Sequence, residues 1–252
     1  MTQIRSQAEH IPEGPPTTRT NDTTKTNARS LGTMVVRLWA ILFLVQAVAL
    51  FAAAGTLGYW QAWLYLGVHL VSTTLTNAYL LQRAPELLRR RFAGDEKGET
   101  ERVHQLIQAA VRLVALGILV VAGLDRRFGW SAVPPVVVVG AALAFAASLL
   151  LVTLVFRENA YCSSIIEIGA GQTVVGSGPY RFVRHPMYAA ALLGTAALPL
   201  TLGSLGAEIF LPVTCGLFVM RILAEERFLS GNLPGYTAYT SKTRSRLVPG
   251  LW

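Results

Sequence analysis

Long runs of apolar residues constrain this chain more than any other feature. Four of them, at about 34–55, 57–81, 106–124 and 133–156, are close to 20 residues or longer. A helix of about 20 apolar residues is needed to cross about 30 Å of hydrocarbon. Only 14% of the residues are charged, whereas soluble domains average about 25%. The sequence therefore predicts an all-α polytopic membrane protein.

Two shorter apolar runs follow, at about 188–202 and 209–223, with Gly203-Ser204 between them. Each is short for a bilayer of about 30 Å. We expect them to form a tight helical hairpin that crosses the membrane partly or obliquely. Together with the four long runs this predicts about five transmembrane helices and a small cytoplasmic segment.

The polar segments divide the chain further. Residues 1–33 are rich in Thr, Asn, Pro and charge, and their composition predicts a disordered tail. Residues 34–156 hold the four long runs, with a basic loop at 83–102. Residues 157–252 form the region expected to carry the activity. Within it, alternation at 164–168 and at 172–175, joined by a Gly-Ala-Gly turn, indicates a small β-hairpin.

The formal charge of +8 raises the question of nucleic acid. The basic residues, however, lie at the ends of the apolar runs and in the loops between them, and this pattern is typical of positive-inside topology. We therefore expect no nucleic-acid partner, and both termini and the active site on the cytoplasmic side. Cys162 and Cys215 are predicted to be unpaired thiols, and no metal-ligand spacing is present.

A polar, glycine-rich run at 176–188 ends in Arg184, His185 and Pro186. Pro suits the first position of a helix, because its missing N–H would be unpaired there. Two potential cations then lie at the positive end of a helix dipole and require an anion nearby. We expect this corner of the molecule to hold a negatively charged ligand.

Glu225 and Glu226 close the last apolar run. One interpretation is a simple pair between Arg221 and Glu225 at i,i+4. The other follows from topology, because a helical hairpin returns both carboxylates to the side where Arg184 and His185 lie. Cations and carboxylates would then face one pocket, and a zwitterionic ligand with a carboxylate, an amine and ribose hydroxyls would satisfy both.

Other polar residues have weaker signals. Arg112 lies about two turns inside the third run, where a charge indicates function or a side chain that reaches the interface. Glu158 and Asn159 indicate a polar boundary or a pocket wall. The aromatic and basic C-terminal tail is most simply an interfacial anchor; its residues are Tyr236, Tyr239, Arg244 and Arg246.

Three features together resemble the isoprenylcysteine carboxyl methyltransferases and the related membrane phospholipid N-methyltransferases. They are the run Gly-Pro-Tyr-Arg-Phe-Val-Arg-His-Pro-Met-Tyr at 178–188, the pair Glu225-Glu226, and a Tyr-x-x-Tyr tail that ends near Val248-Pro249. The resemblance is strongest over about 157–250.

The resemblance implies an S-adenosylmethionine site at the cytoplasmic end of the last helices. By position, the cofactor would be bound by Tyr180, His185, Tyr188, Glu225 and Glu226. Arg184, Glu225 and Arg112 would serve catalysis, Arg184 by holding the pocket and Arg112 on the route of a lipid. The acceptor would be lipidic, foremost the carboxylate of a prenylated cysteine.

Two other classes remain open on the sequence. Membrane sterol reductases that use NADPH carry a similar Arg-His-Pro-x-Tyr string, although they usually have Asn where this chain has Met187. A non-catalytic protein that binds a lipid is the second alternative. The oligomeric state is open as well.

Overall fold

The computed structural model describes residues 18–92, 99–159, 161–162 and 171–252. Eight α-helices occur in these ranges, namely α1 Thr18–Ala54, α2 Trp60–Arg83, α3 Pro85–Phe92, α4 Glu99–Phe128, α5 Pro135–Glu158, α6 Pro186–Thr201, α7 Phe210–Asn232 and α8 Tyr236–Lys242. Two 3₁₀ turns, Gly178–Arg181 and Gly206–Ile209, precede α6 and α7. The all-α prediction is confirmed for the described residues.

Four helical segments are long and apolar enough to cross a membrane: Leu31–Ala54, Gln105–Phe128, Pro135–Glu158 and Gly206–Asn232. The helix α6 is apolar but shorter. The helix α2 has 24 residues, yet its polar side chains, such as His69 and Asn77, place it outside this set. The polytopic architecture is as predicted, with four apolar spans, one short apolar helix and the more polar α2.

Two boundaries differ from the predictions. The helix α1 begins at Thr18 and so includes part of the segment predicted to be disordered, because helix extension from an apolar core costs little once the helix has formed. The second limb of the last hairpin continues past 223 to Asn232. It can do so because Ala224, Glu225, Glu226 and Arg227 all favour a helix.

The predicted β-hairpin is only partly within the described residues. Its first run, 164–168, lies outside them, and the second run, 172–175, has no strand. In the basic loop 83–102, the helix α3 occupies the first part and residues 93–98 lie outside the described ranges.

The core forms where α1, α2, α4, α5 and α6 meet, around Leu50, Tyr59 and Phe145. The helix α6 packs mainly along α5, and α1 packs along α4. Gly123 permits the α1–α4 contact, because a Cβ there would lie 2.6 Å from the Cβ of Ala53. Large apolar side chains such as Leu75 and Leu143 remain exposed, as expected for helices that face lipid.

Antiparallel order gives the bundle two distinct ends. The start of α4, the end of α5, the start of α6 and the end of α7 lie together at one end, which we call the pocket end. The turns after α4 and α6 meet at the other, which we call the turn end. At the turn end Tyr59 donates a hydrogen bond to the carbonyl of Leu202, and Trp63 and Trp130 are exposed.

Candidate active site

A buried carboxylate, Glu226, organises the polar residues of the pocket end. Its Oε1 lies 3.0 Å from Nη1 of Arg184 and 3.2 Å from Nε2 of His185. Its Oε2 accepts a hydrogen bond of 2.9 Å from Nε of Arg246. Because a carboxylate only accepts hydrogen bonds, Nε2 of His185 is the donor in this pair. Glu226 thus binds three basic side chains at once.

The helix α6 begins at Pro186 with His185 in the capping position, as predicted. Arg184 and His185 therefore lie at the positive end of the helix dipole. The anion that this arrangement requires is supplied by the protein, as Glu226. Glu226 thus compensates this pair from within the protein. Other charged side chains that line the cavity, such as Arg112 and Glu225, can bind a ligand.

The C-terminal tail completes this ionic cluster. The amide N–H of Arg184 donates to the carbonyl of Ser245, and that of His185 to the carbonyl of Arg246. Arg246 was expected to be an interfacial anchor, but its guanidinium binds Glu226 instead. These two backbone hydrogen bonds bring the tail there, and no local pattern in the tail predicts this.

Glu225 belongs to a second set of hydrogen bonds. Nε of Arg221 donates to the hydroxyl of Tyr188 over 2.7 Å, and that hydroxyl donates to Oε2 of Glu225 over 2.8 Å. Arg221 is 5% exposed. Tyr188, from α6, therefore lies between the two α7 side chains that the i,i+4 interpretation would have paired directly.

The turn that precedes α6 places Tyr180 against the end of α5. Its hydroxyl accepts a hydrogen bond from Asn159, and its carbonyl accepts one from Tyr239. Gly178 allows this close approach, because its φ is +53° and a Cβ would lie 2.8 Å from Cδ of Glu158. Burial, followed by the nearby thiol of Cys162, raises the pKa of Tyr180 above its usual value, so its hydroxyl stays protonated.

These residues surround a cavity of about 470 Å³, a size within the range of small-molecule sites. Arg112 lines it from α4, Tyr180 from the turn, His185 and Tyr188 from α6, and Glu225 from α7. The cavity brings together both polar and aromatic groups from four separate segments.

Two buried polar atoms at this site, Nε of Arg184 and Oη of Tyr236, have no hydrogen-bond partner among the described residues. Tyr236 is 4% exposed, and burial, with the charges of Glu226 and Glu225, raises the pKa of its hydroxyl. It remains a neutral phenol that can donate a hydrogen bond. Buried polar atoms without partners are rare in native proteins, and they indicate a ligand or water.

The structure therefore brings the sequence-predicted site residues to one place. Arg112, Tyr180, Arg184, His185, Tyr188 and Glu225 line the cavity, and Glu226 lies behind Arg184 and His185. Their roles remain predictions. Arg221 and the aromatic tail residues Tyr236 and Tyr239 also line the cavity, although the sequence favoured other roles for them. For Tyr236 and Tyr239, the Tyr-x-x-Tyr spacing of the tail is the sequence feature that could have indicated a place in the site.

The fold and this cavity define a class: helical, multi-pass membrane proteins with a polar site at one end of the bundle. Residues 138–231 match the model of the isoprenylcysteine carboxyl methyltransferase (ICMT) family. The matched segment runs from α5 to α7 and includes the Arg-His-Pro-x-Tyr motif and the Glu pair. This match confirms the resemblance that these motifs indicate, and the family is one of methyltransferases.

The chain is also similar to a curated protein, the cobalt-zinc-cadmium resistance protein CzcN of Cupriavidus metallidurans. The two are 31% identical over 96 residues. The alignment covers 38% of this chain and 44% of the relative, so the chain spans less than half the length of that protein.

Proposed function

We propose that this protein is an integral membrane methyltransferase that uses S-adenosylmethionine and acts on a lipidic acceptor. The observation that carries the proposal is the cavity, in which unpaired donors and a carboxylate face one another at the membrane boundary. The match to a methyltransferase family over 138–231 supports it.

The residues present fit the chemical groups of S-adenosylmethionine. Nε of Arg184 and the hydroxyl of Tyr236 have no hydrogen-bond partner among the described residues, and as donors they suit a carboxylate. Glu225, whose Oε2 is bound by Tyr188, can offer Oε1 to an amine or a ribose hydroxyl. The aromatic rings of Tyr188 and Phe218, 5.3 Å apart, offer an apolar wall. When bound, the cofactor would supply a methyl group on a positively charged sulfur.

The protein's contribution would be orientation rather than proton transfer. A carboxylate acceptor already carries its nucleophile and needs no general base. Holding two reactants in line can supply a large part of the rate enhancement. The cations of the site, Arg112 in the wall and the cluster around Glu226, would position anionic groups and keep water out of a confined cavity.

A lipidic acceptor is proposed from the position of the site. The helix α6 has 16 residues and is therefore about 24 Å long at 1.5 Å per residue. This is shorter than a hydrocarbon layer of about 30 Å, so His185 at its start lies below the membrane surface when its other end is at the opposite interface. The carboxylate of a prenylated cysteine, or a similar isoprenoid or lipid, could reach this depth.

The pocket end carries most of the basic residues outside the spans, so we propose that it faces the cytoplasm. Arg181, Lys242 and Arg244 lie there, whereas Arg126 and Arg127 lie at the turn end. The relative's name concerns metal resistance, but the described residues contain no group of three His, Cys, Asp or Glu side chains able to hold a metal ion. We therefore do not extend a metal-related role to this chain.

Calorimetric titration of the detergent-purified protein with S-adenosylmethionine and, separately, with NADPH tests the proposal. We expect saturable binding of the first and at least tenfold weaker binding by Glu225→Gln, because hydrogen bonds to charged groups contribute about 1.5–3 kcal/mol. Glu208→Gln, at the other end of the same hairpin, is the matched control and should bind normally. Binding of NADPH alone would place the chain with the reductases, and binding of neither would refute the proposal.

A further inference from the structure

Arg221 is a buried cation inside a membrane-spanning helix. It is 5% exposed and lies within the apolar segment Gly206–Asn232. Charged residues at such positions are costly, and they are kept where they bind another group or serve function. Arg221 donates a hydrogen bond to the hydroxyl of Tyr188, a residue of the cavity wall.

The chemistry of the three side chains fixes the direction of their hydrogen bonds. A guanidinium can only donate, so the Tyr188 hydroxyl accepts from Nε of Arg221. The only proton of that hydroxyl is then available to Oε2 of Glu225, 2.8 Å away. The result is a polarised chain from a cation through a phenol to a carboxylate, in which each bond strengthens the next.

The helices hold this chain in place. Arg221 and Glu225 are four residues apart and share one face of α7. Tyr188 extends from the first turn of α6, and its ring is tilted against Phe218, with centroids 5.3 Å apart. Because the ring cannot swing freely past Phe218, its hydroxyl remains between the two α7 side chains.

We propose that Arg221 is a positioning residue of the cofactor site, and this rests on the proposed function. Arg221 directs the proton of Tyr188 toward Oε2 of Glu225, and this fixes the carboxylate so that Oε1 faces the cavity. Without Arg221 the hydroxyl could rotate and donate elsewhere, and Glu225 would lose both its orientation and a nearby positive charge. The ligand affinity of Glu225 therefore depends on a residue that need not touch the ligand.

A double-mutant cycle on the full-length protein tests this. Arg221→Gln and Tyr188→Phe should each weaken S-adenosylmethionine binding about ten- to hundredfold, which corresponds to the loss of a charge-assisted hydrogen bond. The double variant should bind no more weakly than the poorer single variant, because both changes break one chain. Arg221→Lys, which keeps a cationic donor, should recover part of the affinity. Arg227→Gln, exposed on the same helix, is the matched control.

The outcomes separate the two proposals. If the wild-type protein binds S-adenosylmethionine and Arg221→Gln binds equally well, the positioning role is refuted while the proposed function stands. Additive losses in the double variant would also refute it, because Arg221 would then act apart from Tyr188. A folded wild-type protein that does not bind S-adenosylmethionine would overturn the proposed function and the positioning role together.

Discussion

The two ends of the bundle each bury a carboxylate, and they satisfy it in opposite ways. At the turn end Asp125, 1% exposed, accepts hydrogen bonds from the amide and hydroxyl of Ser131 and from the hydroxyl of Ser204. All of these donors are neutral. At the pocket end Glu226 is bound by Arg184, His185 and Arg246.

The difference teaches how a structural cluster and a candidate site can be told apart. The Asp125 cluster joins the turn after α4 to the turn after α6, and the amide N–H of Gly206 also points to it. None of its residues lines the cavity at the pocket end. The Glu226 cluster lies beside a cavity of about 470 Å³ and includes Arg184, whose Nε has no partner among the described residues. The two guanidinium groups of this cluster outnumber its one carboxylate. This excess of positive charge, together with a donor that lacks a partner next to a cavity, indicates a ligand.

The largest expected effect comes from Glu226→Ala. It would leave the guanidinium of Arg184 buried without its counter-charge, and removing one partner of a buried ion pair costs about 3–5 kcal/mol. Thermal unfolding in detergent should show this loss of stability. Glu86→Ala, which removes an exposed pair with Arg89, is the control, and loss of such a surface pair should cost about 0–1 kcal/mol. Equal effects of the two substitutions would mean that the ionic cluster does not stabilise the fold.

The next effect is expected at the opposite end. Asp125→Ala would leave the donors of Ser131 and Ser204 without an acceptor, at a cost of roughly 2–3 kcal/mol. The folded fraction of this variant should still bind S-adenosylmethionine normally, because Asp125 lies at the turn end, away from the cavity. Asp125→Asn keeps one oxygen acceptor and should be milder. A selective loss of ligand affinity in either variant would show that the two ends are coupled.

The smallest effect distinguishes two tyrosines of α8. Tyr236→Phe removes a hydroxyl that has no hydrogen-bond partner in the part of the chain that the structure describes, so stability should not fall, while affinity for S-adenosylmethionine should drop about five- to tenfold. Tyr239→Phe removes a hydrogen bond of 2.7 Å to the carbonyl of Tyr180 and should cost about 1 kcal/mol of stability. Paired melting and binding curves measure both. Unchanged affinity in Tyr236→Phe would remove that hydroxyl from the ligand site.

Local patterns predicted much of this molecule. Apolar runs gave the helices, and Pro186 marked the start of α6. The charges at 184–185 and 225–226 converge as the hairpin topology requires. These features depend on residues that are close in sequence or on one helical hairpin. Composition and spacing are therefore sufficient to predict them.

The remaining features depend on distant contacts. Asp125 follows an apolar run next to Arg126 and Arg127, and no local pattern indicates that its oxygens bind a turn about 80 residues away in the chain. Arg246 and Tyr236 resembled membrane anchors because basic and aromatic residues are typical of both interfaces and pockets. The backbone hydrogen bonds between the tail and the residues before α6 place these side chains at the pocket and not at a membrane interface.

The assembly of Glu226 with its three basic partners has a consequence for biosynthesis. The chain leaves the ribosome from its N-terminus, so Arg184 and His185 are made before α7, and Arg246 after it. When α7 enters the membrane, two partners of Glu226 are already present just before α6, but the third is not. Insertion of the last helix should therefore depend on a correctly placed α6, and the tail should lock the hairpin only once synthesis has passed Arg246.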